Sequence, residues 1–295
     1  MVLAHVGGPV LAPLQILPIG LAALLYAQRA RTLGGTPRAV PAWRQWCFHG
    51  GLVLILFTLV SPLAHISDEL FLAHMAEHLL LADFGSLLLV LGLTGPLLAP
   101  ILRRAHWLRV LGNPLIALPL WAIDLYAWHA PALYQGAVAH GALHALEHAC
   151  FVGFGMAMWM PLFGPLPQPA WFGNLAKLVY IIAVRLIGGV LGNILIWSGT
   201  VLYPRYAKGE AYWHITALQD QNAAGAIMMI ESSLLTLCLF GWLFARTAAQ
   251  GEERQALLDL AAQRGVELDE RRAARAVAAG RGEELRRRLE TSSSS

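Results

Sequence analysis

Charge is scarce in this chain. Only 13% of its 295 residues are Asp, Glu, Lys or Arg, about half the share of an ordinary soluble domain. Hydrophobic residues make up 57%, and the mean hydropathy is +0.56. Such a composition argues against a cytosolic globule, a disordered chain and a nucleic-acid binder with a basic face. The formal net charge of +3 hides a strong asymmetry. Ten of the 21 basic and nine of the 18 acidic residues lie after Ala245, so the first 245 residues carry only 20 charges. That is what a bilayer as solvent demands. Cysteine is nearly absent. Cys47, Cys150 and Cys238 sit singly in apolar runs with no Cys-x-x-Cys, which excludes a disulfide framework. Each reads as a small buried apolar residue. Also missing are a Walker A loop, a Gly-x-Gly-x-x-Gly opening a helix, a Gly-x-Ser-x-Gly elbow and a Cys-x-x-Cys-His haem attachment.

What is present are apolar segments long enough to cross roughly 30 Å of hydrocarbon. They predict seven spans, at 11–27, 46–63, 73–98, 114–128, 139–163, 175–197 and 223–244. The fourth is the shortest; without it the last three would reverse direction. The first does not read as a signal peptide, because its basic residues follow it rather than precede it. Loop charges set the orientation. Arg29, Arg31, Arg38 and Arg44 fill the first loop, and Arg103, Arg104 and Arg109 the third. The fifth holds only Lys177, the sixth Arg205 and Lys208, and Arg246 begins the tail. The expectation is an all-α integral membrane bundle of seven helices, residues 1–245. Its N-terminus is outside, and residues 246–295 form a polar cytoplasmic C-terminal tail. The tail has no aromatic residue and ends in four serines. Within it, 252–264 has helical spacing, with Leu257, Leu260 and Ala261 on one side. Short exposed helices are expected there, solvated or docking a cytoplasmic partner.

Histidine carries the functional signal. With this topology nine of the 11 histidines lie toward the outer side, His5 among them, and His49 and His106 toward the inner side. The third span opens His74-Met75-Ala76-Glu77-His78. Positions four apart on a helix are about 6 Å apart along the axis and 40° around it, so both imidazoles can face one point. The order of letters is not that of the His-Glu-x-x-His zinc motif. The fifth span repeats the spacing at His140, His144 and His148, with Glu147 beside the last. The row spans about 12 Å of depth, too much for one metal ion. Two neighbours can bind one metal, or the row can pass a metal or proton along. Such residues in a membrane helix are costly and call for a reason. Between the two stripes, Asp124 and His129 end the fourth span, and Trp128 and Tyr134 read as interface anchors. Asp124 can fix a histidine tautomer. His214, Asp220 and Gln221 precede Met228 and Met229. Met75 is the best thioether candidate for Cu(I); the other methionines read as packing. Asp83, Glu231 and Arg185 lie deep and are expected to form an ion pair inside the bundle.

Together these motifs resemble a known family. They are His74-Met75-x-x-His78-Leu79, Trp128-His129-x-Pro131-x-x-Tyr134, and His144-Ala-Leu-Glu147-His148 followed by Trp159-x-Pro161. Asp220-Gln221 then precedes Gly225 and the methionine pair. The set is similar to the seven-span cytochrome c oxidase assembly factors of the CtaG family, over about residues 10–245. The resemblance implies a bacterial inner-membrane protein with an extracytoplasmic metal-handling face. It also implies a role in maturing caa-type oxidases and supplying them with copper. The leading expectation is therefore a non-enzymatic copper carrier whose partners are membrane lipid and an oxidase subunit, with no nucleic acid. Its metal site would draw on His74, His78, His144, His148, Met75, His129 and His140. Glu77, Asp124, Glu147 and Asp220 would stand behind these ligands. Two other functions fit the same residues. One is an intramembrane zinc hydrolase on His74, His78, His144 and Asp124, with Glu77 or Glu147 as base. The other is a b-type haem protein ligated by His78 and His148.

Overall fold

The computed structural model describes residues 8–291, with side chains from residue 16 onward. His5 lies outside the described residues. Among those described, every regular element is helical and no strand occurs. The elements are α1 (Gly8–Leu33), α2 (Ala42–Val60), α3 (Pro62–Ile66), α4 (Phe71–Leu79), a π-helical turn (Leu80–Gly85), α5 (Ser86–Gly92) and α6 (Gly95–Arg104). A 3-10 turn (His106–Gly112) leads into α7 (Pro114–Trp128), α8 (Pro131–Ala139), α9 (Gly141–Phe163) and α10 (Asn174–Trp197). A second 3-10 turn (Pro204–Tyr206) precedes α11 (Ala207–Tyr212), α12 (Ala217–Gln263), α13 (Glu270–Ala278) and α14 (Gly282–Thr291). Among the described residues five helical segments are long and apolar enough to cross a membrane: α2, Phe71–Gly92, α9, α10 and α12. A sixth arises if α7 and the 3-10 turn before it, bent by 88°, count as one span. These helices fit a multi-pass membrane protein.

Proline and capping residues set several boundaries. Ser61, Thr94 and Asn113 each accept a hydrogen bond from the first turn of the helix they precede, at Leu63, Leu97 and Leu115. Proline sits at the first positions of α3, α6, α7 and α8, where its missing N–H costs nothing. This shortens the expected third span, which ends at Gly92 rather than at residue 98. The freed carbonyls at that end are not orphaned. Arg44 Nη1 donates to Leu91 O at 3.0 Å and to Leu93 O at 2.7 Å, and Tyr26 OH donates to Gly92 O at 3.0 Å. A guanidinium at a helix C-terminus also suits the helix dipole.

The chain divides into two compact units, Met1–Leu234 and Leu235–Ser295. In the first, α9 is central. It packs against α5, the π-helical turn, α7 and α8, while α2 packs against α5 and the same turn. Gly155 permits the approach of α9, since a Cβ there would collide with the Ala82 carbonyl oxygen and crowd Ser86 Oγ at 2.8 Å. Trp159 Nε1 donates to Asp83 O at 3.0 Å across the same seam. In the second unit, Leu257, Ala261, Val277 and Leu289 are buried together, with Leu260, Val266, Leu268 and Leu285 against them. The tail segment 252–263 is thus a continuation of α12 rather than a separate helix, while α13 and α14 are the short, mostly exposed helices expected, joined to it by a small core. Cys47 and Cys150 are half-buried, and Cys238 is exposed rather than buried.

The expected ion pair of Arg185 is not formed. Its guanidinium donates to Ser233 Oγ at 3.1 Å and approaches Met229 Sδ at 3.7 Å. Among the described residues no carboxylate lies within ion-pair distance of it. Met229 and Ser233 are four apart and share a face of α12; Glu231 interacts electrostatically with both Asp83 and Arg185, but beyond ion-pair distance of the guanidinium.

Candidate metal centre

The two histidine stripes meet. On α4, His74 and His78 have ring centroids 4.3 Å apart; on α9, His144 and His148 are 4.2 Å apart. Across the helices His74 stacks on His144 at 5.3 Å, and His78 meets His148 edge-on at 5.8 Å. All four are buried, His74 to 1% exposure. Four imidazoles and two carboxylates facing hydrocarbon would be prohibitively costly, so both helices turn these stripes inward.

Glu147 sits between the stripes and is fully buried. Its Oε1 is 3.9 Å from His78 Nε2, and its Oε2 is 3.9 Å from His144 Nε2. Glu77 makes the reciprocal approach from α4, with Oε1 4.0 Å from His148 Nε2. These separations are too long for hydrogen bonds. They are close to the spacing of about 3.3 Å that neighbouring ligands adopt around a tetrahedral ion with bonds near 2.0–2.1 Å. One ligand atom from each of His74, His78, His144 and Glu147 falls within 4.8 Å of all the others, and Glu77, His144 and His148 form a second such group.

The donor atoms fit a metal ion. Among the described residues His74 Nε2, both ring nitrogens of His78, Glu77 Oε2 and both carboxylate oxygens of Glu147 are buried without a hydrogen-bond partner. Each such group costs about 1–3 kcal/mol to bury. A cation taking up their lone pairs would remove that cost.

His129 stands at the margin. Its ring lies 6.2 Å from that of His78. A carbonyl can only accept, so the 2.7 Å contact from Nδ1 to Leu125 O puts the ring proton on Nδ1. The lone pair is left on Nε2, which is buried without a partner. The remaining sequence candidates take other places. His140 is the extended, exposed residue before α9, because the helix starts one residue later; the stripe on α9 therefore begins at His144. Met75 is buried beside His74. Asp124 is buried, and among the described residues its carboxylate hydrogen-bonds no histidine. Asp220 caps α4 instead of backing a ligand. Its two oxygens accept from Phe71 N at 2.7 Å and Leu72 N at 2.8 Å. It thereby fixes the helix start two to three residues before His74. Gln221 bonds Leu202 N, Leu195 O, Ser198 Oγ and Thr200 O, tying α12 to the end of α10.

Aromatic rings close the site on one side, and the sequence reading missed most of them. Tyr134, Tyr203, Tyr206 and Phe71 pack together, with Tyr134 5.2 Å and Tyr206 6.3 Å from His74. Tyr134 and Tyr206 join hydroxyls, and Tyr203 OH donates to His129 O at 2.6 Å. Tyr134 is fully buried and Trp128 nearly so, so neither is exposed as the reading of interface anchors expected. On the other side Phe151 lies 4.4 Å from His78. The pair Tyr203 and Tyr206, three apart just ahead of the last long helix, was the available sequence signal.

No curated protein and no solved structure matches the chain. The sequence model of the cytochrome c oxidase caa3 assembly factor family matches residues 22–250. With the histidine stripes and the Asp220-Gln221 pair all inside that match, the chain belongs to the family of cytochrome c oxidase caa3 assembly factors.

Proposed function

We propose that this assembly factor is a non-enzymatic copper carrier. It takes up one copper ion between α4 and α9 and passes it to an oxidase subunit within the membrane. The observation that carries the reading is the convergence of His74, His78, His144 and Glu147 in a buried group whose donor atoms largely lack other partners. Three imidazoles and a carboxylate suit borderline divalent ions, and among these Cu²⁺ binds most tightly to a given nitrogen and oxygen set. The second group, Glu77, His144 and His148, shares His144 with the first. A shared ligand offers a handover path along α9. Hydrophobic closure by Tyr134, Tyr206 and Phe151 holds water away from the ion.

In this reading the chain is a seven-span protein of the bacterial cytoplasmic membrane, with α1 the first span and α7 the bent fourth. The N-terminus is outside and the C-terminus cytoplasmic. Support comes from the cap of the site. Tyr134 lies in the fourth loop, which holds no Lys or Arg, and seven-span alternation puts Tyr203 and Tyr206 on that same side although their loop holds Arg205 and Lys208. The cap of the copper site then lies toward the outer face.

The test is made in cells. Chromosomal His78→Ala and His144→Ala variants should insert at normal levels yet leave the caa3 oxidase short of copper by at least about tenfold, since a lost ligand costs more than 1.4 kcal/mol. His106→Ala, on the exposed 3-10 turn, should leave the oxidase unchanged. Full oxidase copper in His78→Ala cells would overturn the proposal.

A further inference from the structure

We infer that the C-terminal unit carries a binding site for a phosphate-bearing anion, in an arginine-lined cavity between α13 and α14. The cavity has a volume of about 260 Å³, and its charged lining is Arg272, Arg275, Arg281, Arg288 and Glu284. Four cations thus face one carboxylate. That carboxylate is already engaged, because Arg288 pairs with Glu284 on the same helix. Among the described residues Arg272 and Arg281 make no side-chain hydrogen bond or ion pair, and Arg275 uses only Nε, on Arg271 O at 3.2 Å. Elsewhere in the unit arginines do find carboxylates. Arg254 pairs with Glu270 at 3.1 Å and Arg287 with Glu283 at 3.5 Å. Among the described residues three of the four cavity arginines are therefore left without a carboxylate and share one concave space.

The fold holds it there. Val277 of α13 and Leu289 of α14 share a buried core with Leu257 and Ala261. Gly280 turns the chain at φ +67°, and Arg281 N closes that turn on Ala276 O at 2.8 Å. Arg272 and Arg275 are three apart on α13, where like charges repel; an anion between them and Arg281 relieves that repulsion. Guanidinium forks match tetrahedral oxyanions bidentately, and the space suits a compact head group rather than a peptide chain. The phosphate can belong to an anionic phospholipid or to a soluble phosphate ester.

The experiment uses the full chain purified in neutral detergent. Inorganic phosphate is titrated against it, and native mass spectrometry compares retention of phosphatidylglycerol with that of phosphatidylcholine. The inference expects one of these probes to bind. The double variant Arg272→Gln/Arg281→Gln should weaken that binding at least about tenfold. Arg271→Gln/Arg286→Gln removes the same charge outside the cavity and should change it less than about twofold. Saturable phosphate binding without lipid preference identifies a soluble ester; selective phosphatidylglycerol retention identifies a lipid head group. Should the glutamine variant lose tail helicity, Arg272→Lys/Arg281→Lys keeps the charge and removes the forks, and must still weaken binding. Binding of neither probe, equal loss in both arginine pairs, or tighter binding of a polyglutamate peptide than of phosphate would overturn the inference. Copper plays no part in these readouts, so the result stands apart from the carrier proposal.

Discussion

His74 and His78, and again His144 and His148, stand four residues apart, and that spacing alone places each pair on one helical face. The pairs were legible in the sequence for that reason. Glu147 was legible as a nearby carboxylate, but not as the group lying between His78 and His144. One of those partners belongs to another helix, and no local pattern records a contact between elements distant in the chain. Asp220 makes the same point more sharply. Its partners, Phe71 N and Leu72 N, precede it by about 150 residues, so it read as a carboxylate near a metal when it is a helix cap. Asp220→Asn should keep at most one of the two acceptors. Charge-assisted hydrogen bonds of this kind are worth about 1.5–3 kcal/mol. The variant should therefore melt at a lower temperature in detergent, and its metal affinity should fall as α4 frays toward His74. An unchanged melting temperature would show that the cap contributes nothing.

At the scale of elements, hydropathy located the long helices but not the breaks inside them. Residues 93–98 are less apolar than those before them but still apolar on average, so a hydropathy window runs through. The chain instead restarts a helix at Thr94, with Pro96 in its first turn, while Arg44 and Tyr26 take up the carbonyls of Leu91, Gly92 and Leu93. The opposite error arose in the tail. There, charged residues after Arg246 suggested a break, yet α12 runs on to Gln263, because Leu257 and Ala261 gain a small core. The seam between α9 and the π-helical turn sets the spacing of the two stripes, and such turns recur at functional sites. Gly155 is the contact point. Gly155→Leu should push α9 off Ala82 and Ser86, at an overpacking cost of about 1–3 kcal/mol. Metal affinity should fall with it, although residue 155 is two turns from His148. A variant with native thermal stability and native affinity would show that this seam does not position the site.

For the whole molecule, span number and orientation are the coarse quantities on which the proposed outward placement of the site depends. Alternation of basic loops predicts that reporter fusions after Arg38, Arg104 and Arg246 score cytoplasmic, and fusions at Asp68 and Glu210 extracytoplasmic. A cytoplasmic score at Glu210 would remove one span and place Tyr203 and Tyr206 on the wrong side. The candidate metal site is likewise a property of the assembled bundle, since α4 and α9 each supply only part of the clustered side chains. Copper titration of the purified, metal-free full chain, followed by X-ray absorption spectroscopy, tests this directly. The account predicts one equivalent bound through nitrogen and oxygen neighbours at roughly 2.0 Å, lost in His78→Ala and in His144→Ala alike. Failure to bind a stoichiometric ion, zinc held in preference to copper, or binding that survives both substitutions would contradict it.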